Sequence, residues 1–254
     1  MAKENEIEGT LAAREIKLPD SVKILLDLQA EFNIQDTNVN TILTSLKIDD
    51  EESKKKRNYL YRRIKERLDV CQRCSLYLAE NHTQKVPGEG ALNSPLVLIG
   101  EGPGLEEDKM GHPFVGKAGQ LLTTILNKLE IQRERVYITN IIKCRPPNNR
   151  TPLKKEILAC SQNLQLELSI IQPKVIIALG AVPLNYFKPD SSIVRTRGQW
   201  INSREYWIMP TFHPAYILRQ QGQTLNKIKW AVWQDFNKAI NKAKEMCPEY
   251  KFYV

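Results

Sequence analysis

The sequence predicts an α/β fold, a three-layer α/β/α sandwich with a central four-stranded parallel sheet, preceded by an N-terminal extension with helical patches. Three observations lead there. Three of four strand-like segments are near-continuous apolar runs, the pattern of strands covered on both faces of a parallel sheet. Helix-like segments separate the strands, as in a succession of βαβ units. Residues 1–55, by contrast, are polar and contain one glycine, Gly9, which sets them apart from the rest of the chain.

Taken in order, the extension (1–55) carries helical periodicity in "SVKILLDLQAEF" and runs into "DDEESKKKR", which reads as a charge-switching linker. The main domain is then 56–254. Its first element, "YLYRRIKERLDV", is an amphipathic helix that delivers the chain to Cys71. The strands are "SPLVLIG" (94–100), "RVYITNI" (135–141), "PKVIIALG" (173–180) and "EYWIMPTF" (205–212). The intervening helices are "KAGQLLTTILNKLE" and "LKKEILACSQNLQLELSII", and "TLNKIKWAVWQDFNKAINKAKEM" follows the last strand. In such a sheet the functional loops lie at the strand C-termini. Those loops here are "GEGPG" (100–104), "NIIKCRPPNNR" (140–150) and "TFHPAYILR" (211–219), which offer Glu101, Asn140 and His213 to one crevice.

Composition narrows the partners. Lys and Arg number 37 against 29 acids, a formal charge of +8, which favours a polyanion such as nucleic acid. There is no apolar run long enough for a membrane span, and "MAKENEIEGTLAAREIK" lacks the apolar centre of a signal peptide, so a cytoplasmic protein with no membrane partner is expected. The glycine cluster fits neither G-x-G-x-x-G nor G-x-x-x-x-G-K-[ST], and the acids at 106–108 would repel a pyrophosphate; a dinucleotide site is disfavoured.

Structural disulfides are rare in the cytoplasm, so the five cysteines need another reading. Cys71 and Cys74 form a C-x-x-C, Cys144 lies in the loop after the second strand, and Cys160 sits one helix further on. Four thiolates suffice for a tetrahedral zinc or for a four-iron cluster, and the spacing leaves that choice open. Cys247 stands apart as a spare.

These motifs together resemble the family-four uracil-DNA glycosylases, the iron–sulfur branch of that superfamily. The resemblance runs from about Tyr59 to Phe236 and is carried by "VPGEG", "GEGPGLEED", "GHPFVGKAG", "YITNIIKCRPPNNRTP" and "HPAYILR", with the four cysteines. It implies the α/β/α sandwich, a [4Fe–4S] cluster on Cys71, Cys74, Cys144 and Cys160, and hydrolytic removal of uracil from single- or double-stranded DNA by a monomer. By residue, it implies that Phe114 stacks on an extruded uracil, that the backbone at Gly102 approaches the base edge, and that Asn140 reads N3–H and O4. His213 would hydrogen-bond O2 and Glu101 would position water. Glu107 would orient water or shape the wall facing thymine's methyl. Ile217 or Leu218 would wedge into the vacated stack, while Arg145, Lys143, Arg150 and Arg219 would contact phosphates. The chain departs from the family at "ENHTQKV", where His82 replaces the usual arginine, and in residues 1–55, which have no family counterpart. A sliding clamp or other repair partner has no support in the sequence. A uracil-DNA binding protein without turnover is the alternative, and the absence of histidine between Lys143 and Arg150 speaks against covalent capture there. A cluster-stabilised DNA-binding module without catalysis would leave Glu101, Asn140 and His213 unused.

Overall fold

The computed structural model describes residues 46–47, 50–79, 84–203 and 205–253. The expectations for the extension before residue 46, including the "SVKILLDLQAEF" helix, and for His82 lie outside these residues. The first described helix, α1 (Glu51–Asp69), starts well before Tyr59, so much of the run read as a linker is helical. The cause is local. Asp50 caps the helix, its carboxylate accepting from the Glu52 and Ser53 amides, and Glu51 and Glu52 sit in the first turn, where acids complement the helix dipole.

Six strands follow in chain order: β1 (Glu89–Gly90), β2 (Leu96–Gly100), β3 (Tyr137–Asn140), β4 (Val175–Leu179), β5 (Ile201–Asn202) and β6 (Trp207–Thr211). Their order in the sheet is β1-β3-β2-β4-β6-β5. The inner four, β3-β2-β4-β6, are parallel, as predicted, whereas β1 and β5 add antiparallel edges, so the sheet is mixed and six-stranded. Both edge strands are two residues long, too short for a periodic apolar signature in sequence.

Alternation along the strands builds two cores. Leu96 and Leu98 of β2 face α3 (Lys117–Lys128) and the long C-terminal α8 (Gly222–Met246), with Leu122, Leu126, Val232 and Phe236 in one cluster. Val97 and Ile99 face the other way, onto Leu164, Leu168 and Ile171 of α4 (Lys154–Ile171). This is the predicted sandwich, and it explains why three of the four strand segments read as near-continuous apolar runs. Helix α1 lies against α4, where the Arg57 guanidinium donates to the Ile170 carbonyl at 3.1 Å.

The remaining helices are short: α2 (Leu105–Met110), α5 (Ala181–Phe187), α6 (Ile193–Thr196) and α7 (Pro214–Leu218). Because the chain crosses from β2 to β3 on one side and from β4 to β6 on the other, the switch point lies between β2 and β4, beside the ends of β3 and β6.

Candidate active site

A cleft of about 400 Å³ opens at these strand ends. Glu101, Asn140 and His213, from three distant loops, all line it, together with Phe114, Gly102 and Glu107. Its size suits one small ring system.

Asn140 ends β3 and is 2% exposed. Its Oδ1 is buried without a protein hydrogen-bond partner, an arrangement that costs about 1–3 kcal/mol unless a ligand or a water in the cleft supplies a donor. The carboxamide lies against Gly100, where a Cβ would stand 2.4 Å from Oδ1 and 2.5 Å from Phe114 Cζ. Glycine at the end of β2 is therefore what lets the amide and the aromatic ring share the cleft. At Gly102 the missing side chain answers to a different neighbour: a Cβ would meet Ile142 Cγ1 at 2.7 Å, so this glycine serves the protein's own packing.

Phe114 is 6% exposed and belongs to the core cluster of α3 and α8, yet it also lines the cleft. Its ring stacks on that of His213, with centroids 5.7 Å apart and planes inclined at 30°. Its backbone has φ 54°, unusual for a bulky residue, and the loop around it is braced on both sides. Arg133 donates to the Pro113 carbonyl at 2.6 Å, and Glu107 Oε1 accepts from the Val115 and Gly116 amides at 3.0 and 2.9 Å. Glu107 thus holds the Phe114 loop while its other oxygen faces Gly104. A bracing role predicts that Glu107→Gln, which keeps an acceptor, retains at least about a third of wild-type activity. Glu107→Ala should lower stability by about 2 kcal/mol in a denaturant titration. A Gln variant as inactive as Glu101→Gln would instead mark Glu107 as a required charge.

His213 precedes α7, and its Nδ1 accepts from the Ala215 amide at 3.1 Å. With Nδ1 committed as an acceptor, the neutral ring carries its proton on Nε2. Burial, reinforced by the Arg219 charge and opposed by Glu107, lowers its pKa to about 4. The ring is neutral and a donor at physiological pH. Gly180, with φ +99°, lets the chain after β4 pass beneath His213, whose Cβ would stand 3.2 Å from an added Cβ. The end of β6 is tied down by Asp235 of α8: it accepts from the Thr211 hydroxyl at 2.7 Å and from Arg197 Nε at 2.9 Å. Glu101, half-buried at the end of β2, has its pKa raised by burial.

Two expectations for the periphery are corrected. Ile217 is 2% exposed and packs in the core, because α7 turns that face inward; Leu218, 51% exposed, is the apolar side chain left at the surface. Ile217→Ala is accordingly expected to cost about 2–5 kcal/mol of stability. Leu218→Ala should stay within about 0.5 kcal/mol by the same denaturant measurement. Lys143 is no phosphate contact: it has no solvent exposure and pairs with Glu167 at 2.6 Å. Arg150 lines the cleft but makes a two-pronged ion pair with Glu156, at 2.8 and 2.7 Å. Arg145 Nε donates to Asn149 Oδ1 at 2.7 Å, outside the cleft lining, and Arg219 lines the cleft beside His213.

Cys71, Cys74, Cys144 and Cys160 line one small hollow between the end of α1, the β3 loop and α4. Burial, then the neighbouring thiols, pushes the Cys144 pKa far up, and Asn163 Nδ2 lies 3.7 Å from Cys160 Sγ. Among the described residues no three His, Cys, Asp or Glu side chains are placed to hold a single metal ion. Cys247 is buried away from this hollow.

The comparison that decides the family is a match of residues 87–237 to the model of the uracil DNA glycosylase superfamily, a stretch that contains the whole cleft. The chain belongs to the uracil-DNA glycosylase superfamily. A type-4 uracil-DNA glycosylase of Thermotoga maritima is 46% identical over 187 residues, covering 72% of this chain and 94% of that protein. A type-4 uracil-DNA glycosylase of Sulfurisphaera tokodaii is 43% identical over 166 residues, 61% of this chain and 74% of that protein. A type-5 uracil-DNA glycosylase of Pyrobaculum aerophilum is more distant, at 26% over 182 residues, 59% of this chain and 80% of that protein. Within this glycosylase-superfamily chain, sequence reasoning missed the supports of the site: Gly180, Arg133, Asp235 and the Lys143–Glu167 pair. Only Glu167 left a trace, as a carboxylate inside the apolar run "LQLELSII".

Proposed function

We propose that this chain is a uracil-DNA glycosylase that extrudes uracil from DNA and hydrolyses its N-glycosidic bond, leaving an abasic site for base excision repair. The observation that carries the reading is the buried, unpartnered Oδ1 of Asn140 beside a neutral His213 in one cleft. A base inside a duplex has to be flipped out to reach such a site. Once there, uracil presents N3–H to Asn140 Oδ1 and O4 to the amide N–H, a pairing that cytosine inverts. Phe114 supplies an apolar ring for the base to lie on. The developing negative charge at O2 is met by His213 Nε2–H, a preorganised donor of the kind worth roughly 10²–10³ in rate. Glu101 positions the water whose oxygen bonds to C1′ as the C1′–N1 bond breaks. The bond pair leaves with uracil, the water's proton neutralises it, and the Glu101 carboxylate also favours the cationic sugar.

Leu218 is assigned to the wedge and Arg219 and Arg145 to phosphate contacts, so binding should weaken steeply with salt. Leu218→Ala should therefore reduce excision from duplex DNA more than from single strands. We assign the four cysteines to a [4Fe–4S] cluster. Their shared hollow supports this, since it brings together four thiols, the number a four-iron cluster takes. When bound, the cluster supplies a structural tie between α1, the Cys144 loop and α4; the hydrolysis itself moves no net electrons. Absorbance of the purified protein at about 400 nm, with about four irons per chain, would support it, and stoichiometric zinc would defeat it.

The decisive experiment incubates the protein with an oligonucleotide holding one uracil and looks for alkali-labile abasic sites. Cleavage only at uracil is expected. An intact strand with the metal centre loaded would overturn the reading.

A further inference from the structure

Lys143 and Glu167 are paired at 2.6 Å between the end of β3 and α4, both side chains having no solvent exposure. Every donor of the ammonium is engaged, by Thr139 Oγ1 at 2.5 Å, by Glu167 Oε2, and by the backbone carbonyl of Asn140 at 3.0 Å. Glu167 is equally occupied: Oε2 also accepts from the Thr139 hydroxyl at 2.6 Å, and Oε1 from the Gly88 amide at 2.9 Å. A buried ion pair of this kind is weak evidence for stability, because apolar residues of similar volume often serve as well. Its location is the informative property. The peptide it grips is that of Asn140, whose Oδ1 has no protein partner to fix the direction of the carboxamide. The orientation must then come from the backbone and from packing against Gly100. Lys143 is itself anchored from behind, since its own carbonyl accepts from the Val86 amide at 2.8 Å.

We propose that Lys143, held by Glu167 and Thr139, is a positioning residue for base recognition: its ammonium clamps the Asn140 carbonyl and so fixes the angle at which the Asn140 carboxamide enters the cleft. This rests on the reading of Asn140 as the uracil-binding amide. A displacement of the amide by a fraction of an ångström would not unfold the sheet but would misalign two hydrogen bonds at once.

The test is a double-mutant cycle on uracil excision under single-turnover conditions, in the full chain with its metal centre loaded. Lys143→Met with Glu167→Gln removes both charges together, so no buried charge is left unpaired. In the Asn140 background this pair should lower the rate about 10- to 100-fold, while thermal midpoint and absorbance at about 400 nm stay near wild type. In an Asn140→Ala background the same pair should change the residual rate by less than about twofold, because the device then has nothing to position. Equal losses in the two backgrounds would overturn the proposal and assign the pair a general structural role. Should the pair variant lose its fold or its metal, Thr139→Val, which keeps both charges and removes the bridging hydroxyl, takes its place in the same cycle and is judged by the same non-additivity. Wild-type protein that leaves the uracil strand intact would overturn the functional reading, and this proposal with it. Additive losses in an active wild type would overturn this proposal alone.

Discussion

Asn140→Asp is expected to lower kcat/KM for uracil excision on the order of 10³-fold while leaving the fold intact. The substitution is nearly isosteric, and the side chain makes no protein hydrogen bond through Oδ1 that the change would break. What it alters is the complement offered to the base. The carboxylate can still accept from N3–H, but it has no donor for O4, and it brings two like-charged lone-pair regions together in a buried cleft. Each unpaired polar group of this kind costs about 1–3 kcal/mol, so two of them account for the magnitude. Single-turnover excision from a uracil oligonucleotide, with a denaturation curve beside it, measures both halves. Excision at the wild-type rate would remove Asn140 from base recognition.

Replacement of His213 should have an effect of similar size by a different route. His213→Ala deletes the Nε2 donor at the oxygen that becomes negative, and a loss of about 10²–10³ in kcat is expected with a much smaller change in KM, since the interaction strengthens only as the bond breaks. The pH dependence carries a second signature. With its pKa near 4, His213 stays neutral across the working range, so protonation of this ring should not shape the activity profile above about pH 5. If Glu101 positions the water as proposed, an acid limb is expected from its carboxyl, which burial raises and which loses its charge as pH falls. Glu101→Gln should therefore abolish that limb along with most of the activity. Stability follows the same group with a definite sign. The folded pKa lies below the 6.5 of a free imidazole, so between those values the unfolded chain binds a proton that the folded chain refuses. The His213 contribution is whole above about pH 6.5 and is lost progressively as pH falls toward about 4. A denaturant midpoint that shows this acid slope in wild type and a weaker one in His213→Ala would confirm it. Equal slopes would place the titration elsewhere.

How far the chain could be read in advance varied by residue. The inner strands are legible because each is buried on both faces and so is apolar along most of its length, whereas β1 and β5, two residues each, carry too little pattern to be seen. The start of α1 is obscured in the sequence because a run of alternating charges on an exposed helix face looks like a linker, and the Asp50 cap marks the true beginning. That Glu101, Asn140, His213 and Phe114 share one cleft is legible because each stands at a strand end or in a glycine-rich loop. Ile217 and Leu218 are adjacent apolar residues, and no local rule says which one a five-residue helix will bury.

The amino-acid sequence by itself determined the layers, the parallel core and the set of side chains available for chemistry, since these follow from periodicity and from residue type at strand ends. Tertiary structure alone decided how those side chains are poised. Burial and the charge of Arg219 set the protonation of His213, Gly100 leaves room for amide and ring together, and a lysine that looked like a surface cation became the internal clamp on Asn140. Each of these depends on which atoms lie within a few ångströms across a fold, and distances between residues far apart in the chain exist only once the sheet has brought them together.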